Sequence, residues 1–431
     1  MDPNLMPLKL LLFIAALGLL AGCSLYKSEA FVPENTDDCV QRIRLPSSFL
    51  DANPTTRAQV HEDVYGDDPA PFQLRYQWPS RDPSTSASFL WRTDLGTLAT
   101  LVELTDPQGK VMRVEGATLV YGAYEENPGY RIHETRICSG LTPATTYTYR
   151  VGGEQAWSPQ YSFTTPGPPH SFDTFRVAML GDSRGSYTTW AAIIEAAETH
   201  DPDFYMFSGD MIEFGTLQDE WDTWFEAAGD LWTSKNLVPA HGNHEFLVEH
   251  YFANFSLPGN EEWFSHDYGN LHLTVLNDTV RNFGADVAGA QAVFLDDDLS
   301  SAADTDWTLA MHHRAMYSAS GRHGSYTDLR EVWAPIFDQH QLDLVVAGHN
   351  HLYERSVPIR NDMEAAPGQG TTYLVTGGAG GPLYDEIDES WFNEVYNVIE
   401  HYIIADFGPT GADLVVRDLE GNVIDEFSLT K

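Results

Sequence analysis

Residues 175–182 read FRVAMLGD, a short apolar run that ends abruptly in a glycine and an aspartate. The run predicts a buried strand, and the glycine lets the backbone turn sharply as the chain leaves that strand. Four later segments follow the same plan: residues 208–213 read SGDMIE, 241–245 read HGNHE, 311–314 read MHHR and 348–351 read GHNH. Each segment therefore places a metal-competent side chain directly after an apolar strand.

Helix-like stretches lie between these strands, at residues 190–198 and 217–231, and the alternation continues as far as residue 347. Alternating strands and helices predict an α/β layer fold over residues 173–431. In such a sheet, ligands gather at the carboxyl ends of the strands. We therefore expect the five segments to converge on one crevice.

A different pattern precedes this region. Residues 87–91 (ASFLW), 98–104 (LATLVEL) and 146–151 (TYTYRV) alternate aromatic or β-branched residues with polar ones, and turn residues separate the runs. This pattern predicts an all-β antiparallel sandwich over residues 41–166. The proline-rich residues 166–169 (PGPP) then predict a short, stiff linker.

The five strand-end segments share a chemistry. Imidazole and carboxylate groups together suit metal ions such as zinc, iron and manganese. An aspartate can bridge two ions, and an asparagine adds a ligand without adding charge. Two ions ~3.5–4 Å apart can activate a water and stabilise the leaving oxygen of a phosphoryl group. The segments together therefore predict a site for two metal ions that acts on a phosphate ester.

The order Gly-Asp, Gly-Asp, Gly-Asn-His-Glu, His and Gly-His-X-His resembles that of the calcineurin-like metallophosphoesterases. Residues 313–318 (HRAMYS) and 348–356 (GHNHLYERS) resemble the purple acid phosphatase branch in particular. The resemblance implies a four-layer α-β-β-α sandwich preceded by a fibronectin-type-III-like sandwich. It also implies an acid phosphatase-like enzyme that hydrolyses phosphomonoesters with two metal ions drawn from iron, zinc and manganese.

The resemblance assigns roles to individual residues. The implied metal ligands are Asp182 and His351 for the first ion, Asp210 bridging both ions, and Asn243, His313 and His349 for the second. His244 would face the phosphate, where it would stabilise the transferring group or protonate the leaving alkoxide. Hydroxide on the metal pair would attack in line, without a covalent enzyme intermediate.

Two positions depart from the family pattern. Purple enzymes carry a tyrosine three residues after the bridging aspartate, where this chain has Glu213, so we expect no tyrosinate colour. Glu213 is either a further metal ligand or a carboxylate held near the site by a hydrogen bond. Arg184 stands where many relatives have a histidine ligand, and it either binds a phosphate oxygen or pairs with an acidic neighbour.

A further histidine, His323, lies ten residues after His313. In the plant-type phosphatases a histidine near that spacing faces the substrate. The resemblance therefore implies a substrate-binding role for His323, and an exposed loop histidine is the alternative.

The first forty residues predict export. Residues 10–20 (LLLFIAALGLL) are too few to cross a bilayer with margin as a helix, but they fit the hydrophobic part of a secretory signal. Residues 20–23 (LAGC) resemble the lipobox of bacterial lipoproteins. We therefore expect a lipoprotein signal peptide at 1–22, a lipid on Cys23 and a tether at 23–40 of a cell-envelope protein, periplasmic or anchored in the outer membrane. A plain signal peptide and an uncut anchor are the alternatives.

The other two cysteines fit the same location. The chain has 3 cysteines, and Cys39 and Cys138 are those outside the lipobox. Exported proteins occupy oxidising compartments, so these two predict a structural disulfide. Two free buried thiols are the alternative.

The charge balance excludes some partners. The chain has 24 Lys and Arg against 63 Asp and Glu, a formal net charge of -39. Nucleic acids bind to basic surfaces, so we expect no nucleic-acid-binding surface and a small phosphate ester as the substrate. Two other functions stay open: a phosphodiesterase or nucleotidase with the same metal site, and a catalytically inactive cell-surface binding protein.

Overall fold

The computed structural model describes Cys39 and residues 70–121, 129–153, 156–171, 174–246, 249–279, 287–302, 304–388 and 390–431. The predicted signal peptide, the lipid site at Cys23 and almost all of the predicted tether lie outside the described residues. Within the described ranges, no helix is both long enough and apolar enough to span a membrane. The predicted disulfide between Cys39 and Cys138 is confirmed, with the two Cα atoms 5.2 Å apart.

Two four-stranded antiparallel sheets form the N-terminal domain. Its strands are β1 (Phe72–Gln77), β2 (Ala87–Thr93), β3 (Leu101–Thr105), β4 (Val111–Glu115), β5 (Ala117–Tyr121), β6 (Tyr130–Ile137), β7 (Thr146–Gly152) and β8 (Tyr161–Thr164). The sheet orders are β1-β2-β6-β5 and β4-β3-β7-β8. Aromatic rings fill the space between the sheets: Tyr76 stacks on Phe163 with ring centroids 4.4 Å apart, and Phe89 lies 4.5 Å from Tyr149. The predicted all-β sandwich is confirmed for the described residues, and residues 41–69 of its predicted range lie outside them.

Two larger sheets form the second domain. The remaining strands are β9 (Phe175–Leu180), β10 (Phe204–Phe207), β11 (Asn236–Pro239), β12 (Phe264–Tyr268), β13 (Leu271–Val275), β14 (Trp307–Arg314), β15 (Leu344–Gly348), β16 (Tyr353–Ser356), β17 (Ile359–Arg360), β18 (Met363–Glu364), β19 (Thr372–Thr376), β20 (Asn393–Asn397), β21 (His401–Phe407), β22 (Gly411–Asp418) and β23 (Val423–Thr430). The sheet orders are β11-β10-β9-β21-β22-β23 and β12-β13-β14-β15-β19-β16-β20, beside a small β17-β18 ribbon. Strands β9, β10 and β11 run parallel to one another, as do β13, β14, β15 and β19.

Helices cover the outer faces of these sheets. The α-helices of the described residues are α1 (Tyr187–Glu198), α2 (Gln218–Ala227), α3 (Glu249–Asn254), α4 (Ala290–Ser301) and α5 (Thr327–His340). Helices α1 and α2 pack together and α1 contacts β21, whereas α4 and α5 pack together and α4 contacts β13. Strand β19 of one sheet contacts strand β21 of the other, so the two sheets pack against each other. The order of layers is helix, sheet, sheet, helix, which confirms the predicted four-layer α-β-β-α sandwich.

Helix α1 illustrates how the sequence produces one of these layers. Ser186 precedes the helix, and its hydroxyl accepts a hydrogen bond from the backbone N–H of Thr189 at 3.4 Å, which caps the first turn. The buried residues recur with the spacing of one helical face: Trp190, Ile193, Ile194 and Ala197. Trp190 then stacks on Trp224 of α2 with ring centroids 4.8 Å apart, so the two helices form one layer.

Buried charges join the two domains. Arg136 of β6 donates hydrogen bonds to Glu261 Oε1 and to the Leu257 carbonyl oxygen, each at 3.0 Å, and it pairs with Glu134 at 3.1 Å. The three charged side chains are at most 3% exposed. Buried charges are stable only when they are paired, so this cluster constrains how the sandwich sits on the second domain.

Replacing Arg136 with methionine should lower the free energy of unfolding by about 3–5 kcal/mol, because two buried carboxylates lose their cation. Urea denaturation measures the change. Arg113→Met is the matched control, since Arg113 pairs with Glu103 at 2.8 Å but its side chain is 53% exposed. The control should lose about 1 kcal/mol or less. Equal losses in the two variants would contradict a special role for the buried cluster.

Candidate metal centre

The carboxyl ends of strands from both sheets meet at one place. Asp182 follows β9, Asp210 follows β10 and Asn243 follows β11 in the first sheet. In the second sheet, His313 lies near the end of β14 and His349 follows β15. Because these strands are parallel within each sheet, the side chains collect at one edge, and the predicted crevice forms there.

Two groups of buried side chains could each hold a metal ion. The groups are Asp210, His313 and His349, and Asp182, Asp210 and His351. Within each group the ligand atoms lie within 4.8 Å of one another. Asp210 belongs to both groups, as a bridging ligand must. Asn243 Oδ1 lies 3.1 Å from His313 Nε2 and so adds an amide oxygen to the first group.

The hydrogen bonding of these atoms fits a pair of ions. Asp210 Oδ2 and His351 Nε2 are buried and make no hydrogen bond within the described part of the chain. Their charged neighbours, Arg184 Nε and Asp182 Oδ1 respectively, each lie 3.4 Å away. A buried polar atom without a hydrogen bond costs about 1–3 kcal/mol, which coordination would remove. The set of imidazole, carboxylate and amide donors suits iron, zinc or manganese.

Hydrogen bonds to carbonyl groups orient two of the histidines. His313 Nδ1 donates to the Ser208 carbonyl oxygen at 2.8 Å, and His351 Nδ1 donates to the Pro382 carbonyl oxygen at 2.8 Å. A carbonyl oxygen can only accept, so each Nδ1 carries the proton and each Nε2 keeps a lone pair for a metal. The backbone thus sets both tautomers.

His349 is turned the other way. Its Nε2 lies 2.8 Å from the hydroxyl oxygen of Tyr326, and its Nδ1 lies 3.2 Å from His313 Nε2, toward the ligand group. His323, predicted to face the substrate, packs its ring 4.2 Å from the ring of His349. The structure therefore brings His323 to the edge of the candidate site.

The electrostatics of the site favours a cation. Burial alone would lower the pKa of His313, but the Asp210 carboxylate, 3.3 Å from His313 Nε2, raises it to about 10. Burial would raise the pKa of Asp210, yet the neighbouring imidazoles lower it below its usual value. The site thus stabilises positive charge, which either a proton or a metal ion can supply.

Three ligand-bearing residues have left-handed backbones. The φ angles are 58° at Asp182, 57° at Asp210 and 68° at His349, which costs a non-glycine residue about 1–3 kcal/mol. The N–H of His349 donates to both carboxylate oxygens of Asp182, at 3.0 and 2.9 Å. Buried Glu245 accepts from the N–H groups of Asp210 at 3.0 Å and Gly242 at 2.7 Å. These bonds hold the strained loops in position.

The other predicted residues lie beside the ligand groups. His244 Nδ1 donates to the Glu213 carbonyl oxygen at 2.6 Å, and its Nε2 lies 3.9 Å from Asp210 Oδ2. Arg184 pairs with Glu213 Oε2 at 2.8 Å and lies 3.4 Å from Asp210 Oδ2. Glu213 itself is outside both ligand groups. Its role as a metal ligand stays a prediction.

Tyr384 is a residue of the site that the sequence pattern does not predict. Its ring stacks on that of His351 with centroids 4.3 Å apart and an interplanar angle of 10°. Its hydroxyl accepts a hydrogen bond from Arg184 at 3.3 Å. Residues 377–382 (GGAGGP) precede it directly after β19, so glycines again follow a strand, but no metal-competent side chain lies among them.

This fold, with two ligand groups sharing an aspartate at the strand ends, defines a metallophosphoesterase. The family model described as calcineurin-like phosphoesterase matches residues 175–353, and that of the purple acid phosphatase N-terminal domain matches residues 71–165. The chain contains a calcineurin-like metallophosphoesterase domain behind a purple acid phosphatase N-terminal domain. It is accordingly a metal-dependent hydrolase of phosphoric esters.

Several known proteins are similar to this chain in sequence or in fold. The uncharacterized protein Rv2577 of Mycobacterium tuberculosis strain H37Rv is 27% identical over 366 residues, which cover 70% of this chain and 68% of the relative. Purple acid phosphatase 22 of Arabidopsis thaliana is 29% identical over 251 residues, and the match covers 54% of this chain and 55% of the length of that protein. The structure of purple acid phosphatase PPD1 from yellow lupin seeds aligns with a TM-score of 0.74 at 20% identity, covering 84% of this chain and 74% of that one, which shows a shared fold.

Gly348→Ala should reduce the metal content of the purified protein, measured by elemental analysis. A Cβ atom at residue 348 would lie 2.2 Å from Asp182 Oδ2 and 2.6 Å from Ser208 Oγ, so the carboxylate must move. Gly411→Ala is the control, because its Cβ would meet only the Leu429 carbonyl oxygen at an ordinary 3.5 Å. Equal metal contents in the Gly348→Ala and Gly411→Ala proteins would contradict the assignment of Asp182 as a metal ligand.

Proposed function

We propose that the protein is an exported, acid phosphatase-like enzyme that hydrolyses phosphomonoesters with two metal ions drawn from iron, zinc and manganese. The observation that carries this proposal is Asp210, a buried carboxylate common to two groups of ligand atoms. Two bound ions would supply a water that loses its proton near neutral pH and positive charge for the transferring phosphoryl group. The residues around the ligand groups must then bind and orient the ester.

Several hydrogen-bond donors around the ligand groups favour a phosphomonoester. Arg184, His244 and Tyr384 carry N–H or O–H groups beside the ligands, and His323 lies at the edge of the site. A monoester dianion offers three non-bridging oxygens to such donors, whereas a diester offers two and carries one negative charge. Charged hydrogen bonds are the stronger ones, so this surplus of donors supports a monoester substrate.

His244 is the residue placed to act on the leaving group. Its Nδ1 is held by the Glu213 carbonyl oxygen at 2.6 Å, which leaves Nε2 for the substrate. Its side chain is 19% exposed, so an ester in the crevice can reach it. We infer that Nε2 stabilises the transferring phosphoryl group or gives a proton to the leaving alkoxide.

His244→Ala should lower kcat for an alkyl phosphomonoester such as ribose 5-phosphate, whose leaving alkoxide needs a proton, by about 10²–10⁴-fold without loss of bound metal. His170→Ala is the control, because His170 is an exposed residue between the two domains.

The substrate class is tested by assaying bis(nitrophenyl) phosphate beside nitrophenyl phosphate. The kcat/KM value should be higher for nitrophenyl phosphate, which is the monoester. A preference for the diester would contradict the proposed substrate class. Hydrolysis of neither ester by metal-loaded protein would instead support an inactive binding protein.

Export and lipid anchoring rest on the N-terminal sequence. Residues 10–20 fit a secretory signal and residues 20–23 resemble a lipobox, which would leave a lipid on Cys23. The disulfide between Cys39 and Cys138 supports the same location, because disulfides persist mainly in oxidising compartments. We infer a bacterial cell-envelope lipoprotein, periplasmic or anchored in the outer membrane.

Cells fed radiolabelled palmitate should incorporate label into the full-length protein, and Cys23→Ser should abolish both labelling and membrane fractionation. Cys138→Ser is the control, because that cysteine lies outside the lipobox and its loss should leave labelling intact. Unlabelled wild-type protein recovered from the cytoplasm would contradict the lipoprotein assignment.

A further inference from the structure

Two phenylalanine rings lie at the mouth of the candidate metal centre. Phe214 follows Glu213 and is 48% exposed, and Phe246 lies two residues after His244. The two ring centroids are 6.5 Å apart with an interplanar angle of 23°. The ring of Phe246 lies 6.1 Å from that of His244. Neither phenylalanine belongs to the hydrophobic cores that the described residues form.

The loops that carry these rings are tied together by hydrogen bonds. His244 Nδ1 donates to the Glu213 carbonyl oxygen at 2.6 Å, and Gly215 N–H donates to the His244 carbonyl oxygen at 2.8 Å. Glu220 Oε2 accepts from the backbone N–H groups of Glu213 and Phe214, at 2.8 and 3.0 Å. The exposed ring of Phe214 therefore stands on a fixed backbone.

The backbone of Phe246 is strained. Its φ angle is 57°, in the left-handed region that a bulky residue rarely adopts. Such strain persists only where the surrounding structure imposes it, and it concentrates at functional sites. Glycine would relieve the strain at this position, yet the chain carries a large aromatic residue beside His244. The ring of Phe246 is therefore kept beside His244 at a conformational cost.

We propose that Phe214 and Phe246 form a stacking platform for the leaving group of the substrate, so that the preferred phosphomonoesters carry a planar ring, as nucleoside monophosphates and aryl phosphates do. The proposal rests on the proposed phosphomonoesterase function. His244 Nε2 lies 3.9 Å from the shared Asp210 carboxylate, and the ring centroid of Phe246 lies 6.1 Å from that of His244. The leaving group of a phosphate bound beside His244 is therefore within reach of the two rings.

The physical gain comes from covering exposed aromatic surface. Aromatic pairs gain interaction energy beyond the burial of apolar area, and a ring face accepts any planar partner without a fixed hydrogen-bond pattern. The platform therefore selects for the presence of a ring more than for its identity. An alkyl ester would reach the same metal centre but would leave the rings exposed to water.

Adenosine 5′-monophosphate and ribose 5-phosphate make a matched substrate pair, because both release the same kind of primary alkoxide and differ only in the base. The ratio of their kcat/KM values should favour the nucleotide by about three- to tenfold, the effect of one aromatic stacking contact. Phe214→Leu and Phe246→Leu should each lower this ratio, and the double variant should bring it close to one. The binding constant of a non-hydrolysable adenosine phosphonate, measured by calorimetry, should weaken in parallel.

Phe72→Leu is the matched control, because Phe72 is 45% exposed but lies in β1 of the N-terminal domain. The nucleotide-to-sugar ratio of kcat/KM values in the Phe72→Leu protein should equal that of the unsubstituted protein. Metal content and melting temperature, measured on every variant, separate a lost platform from a disturbed site. The platform would be overturned if the nucleotide-to-sugar ratio of kcat/KM values were near one in the unsubstituted protein, or if it survived the double substitution. Turnover of both esters would still uphold the proposed phosphatase function in either case. Turnover of neither ester would overturn the proposed function itself.

Discussion

The Asp210 carboxylate is the constraint on which the rest of this site depends. It is buried, it belongs to both ligand groups, and its Oδ2 atom makes no hydrogen bond in the described part of the chain. Buried anions are stable only beside positive charge. The left-handed backbones at Asp182, Asp210 and His349 cost conformational energy. Ion binding at the site would offset that cost. The two sheets must also come together, because neither sheet alone supplies enough ligands.

The N-terminal sandwich contributes to the site indirectly. The Tyr149 hydroxyl donates to the Thr233 carbonyl oxygen at 2.6 Å, just before β11. After β11 and the loop that follows it, Asn254 at the end of α3 accepts hydrogen bonds from Arg92 at 2.8 Å and Arg75 at 3.2 Å. The segment between these contacts carries Asn243, His244 and Phe246. The sandwich thus anchors both ends of the segment that carries a candidate ligand, the proposed proton donor and one ring of the proposed platform.

The strand-end residues were predictable because their signal is local. A glycine after an apolar run specifies the turn, and the next side chain specifies the ligand, so Asp182 and His349 can be read from a few residues each. The ends of the helices were less predictable. The sequence of residues 217–231 predicts one helix, but α2 ends at Ala227, and Gly229 adopts a φ of 55° that breaks the helical conformation. The chain then buries Trp232, which stacks on Trp224, and this tertiary contact overrides the local helical pattern.

Contacts between loops could not be predicted from the sequence, since they depend on where distant side chains meet. The two departures from the family pattern turn out to be neighbours: Arg184, in place of a histidine, pairs with Glu213, in place of a tyrosine, at 2.8 Å. The pair carries no net charge, whereas a metal-binding tyrosinate in place of Glu213 would add a negative charge to the site. The ion pair links these two positions, and it also holds an arginine 3.4 Å from the shared Asp210 carboxylate.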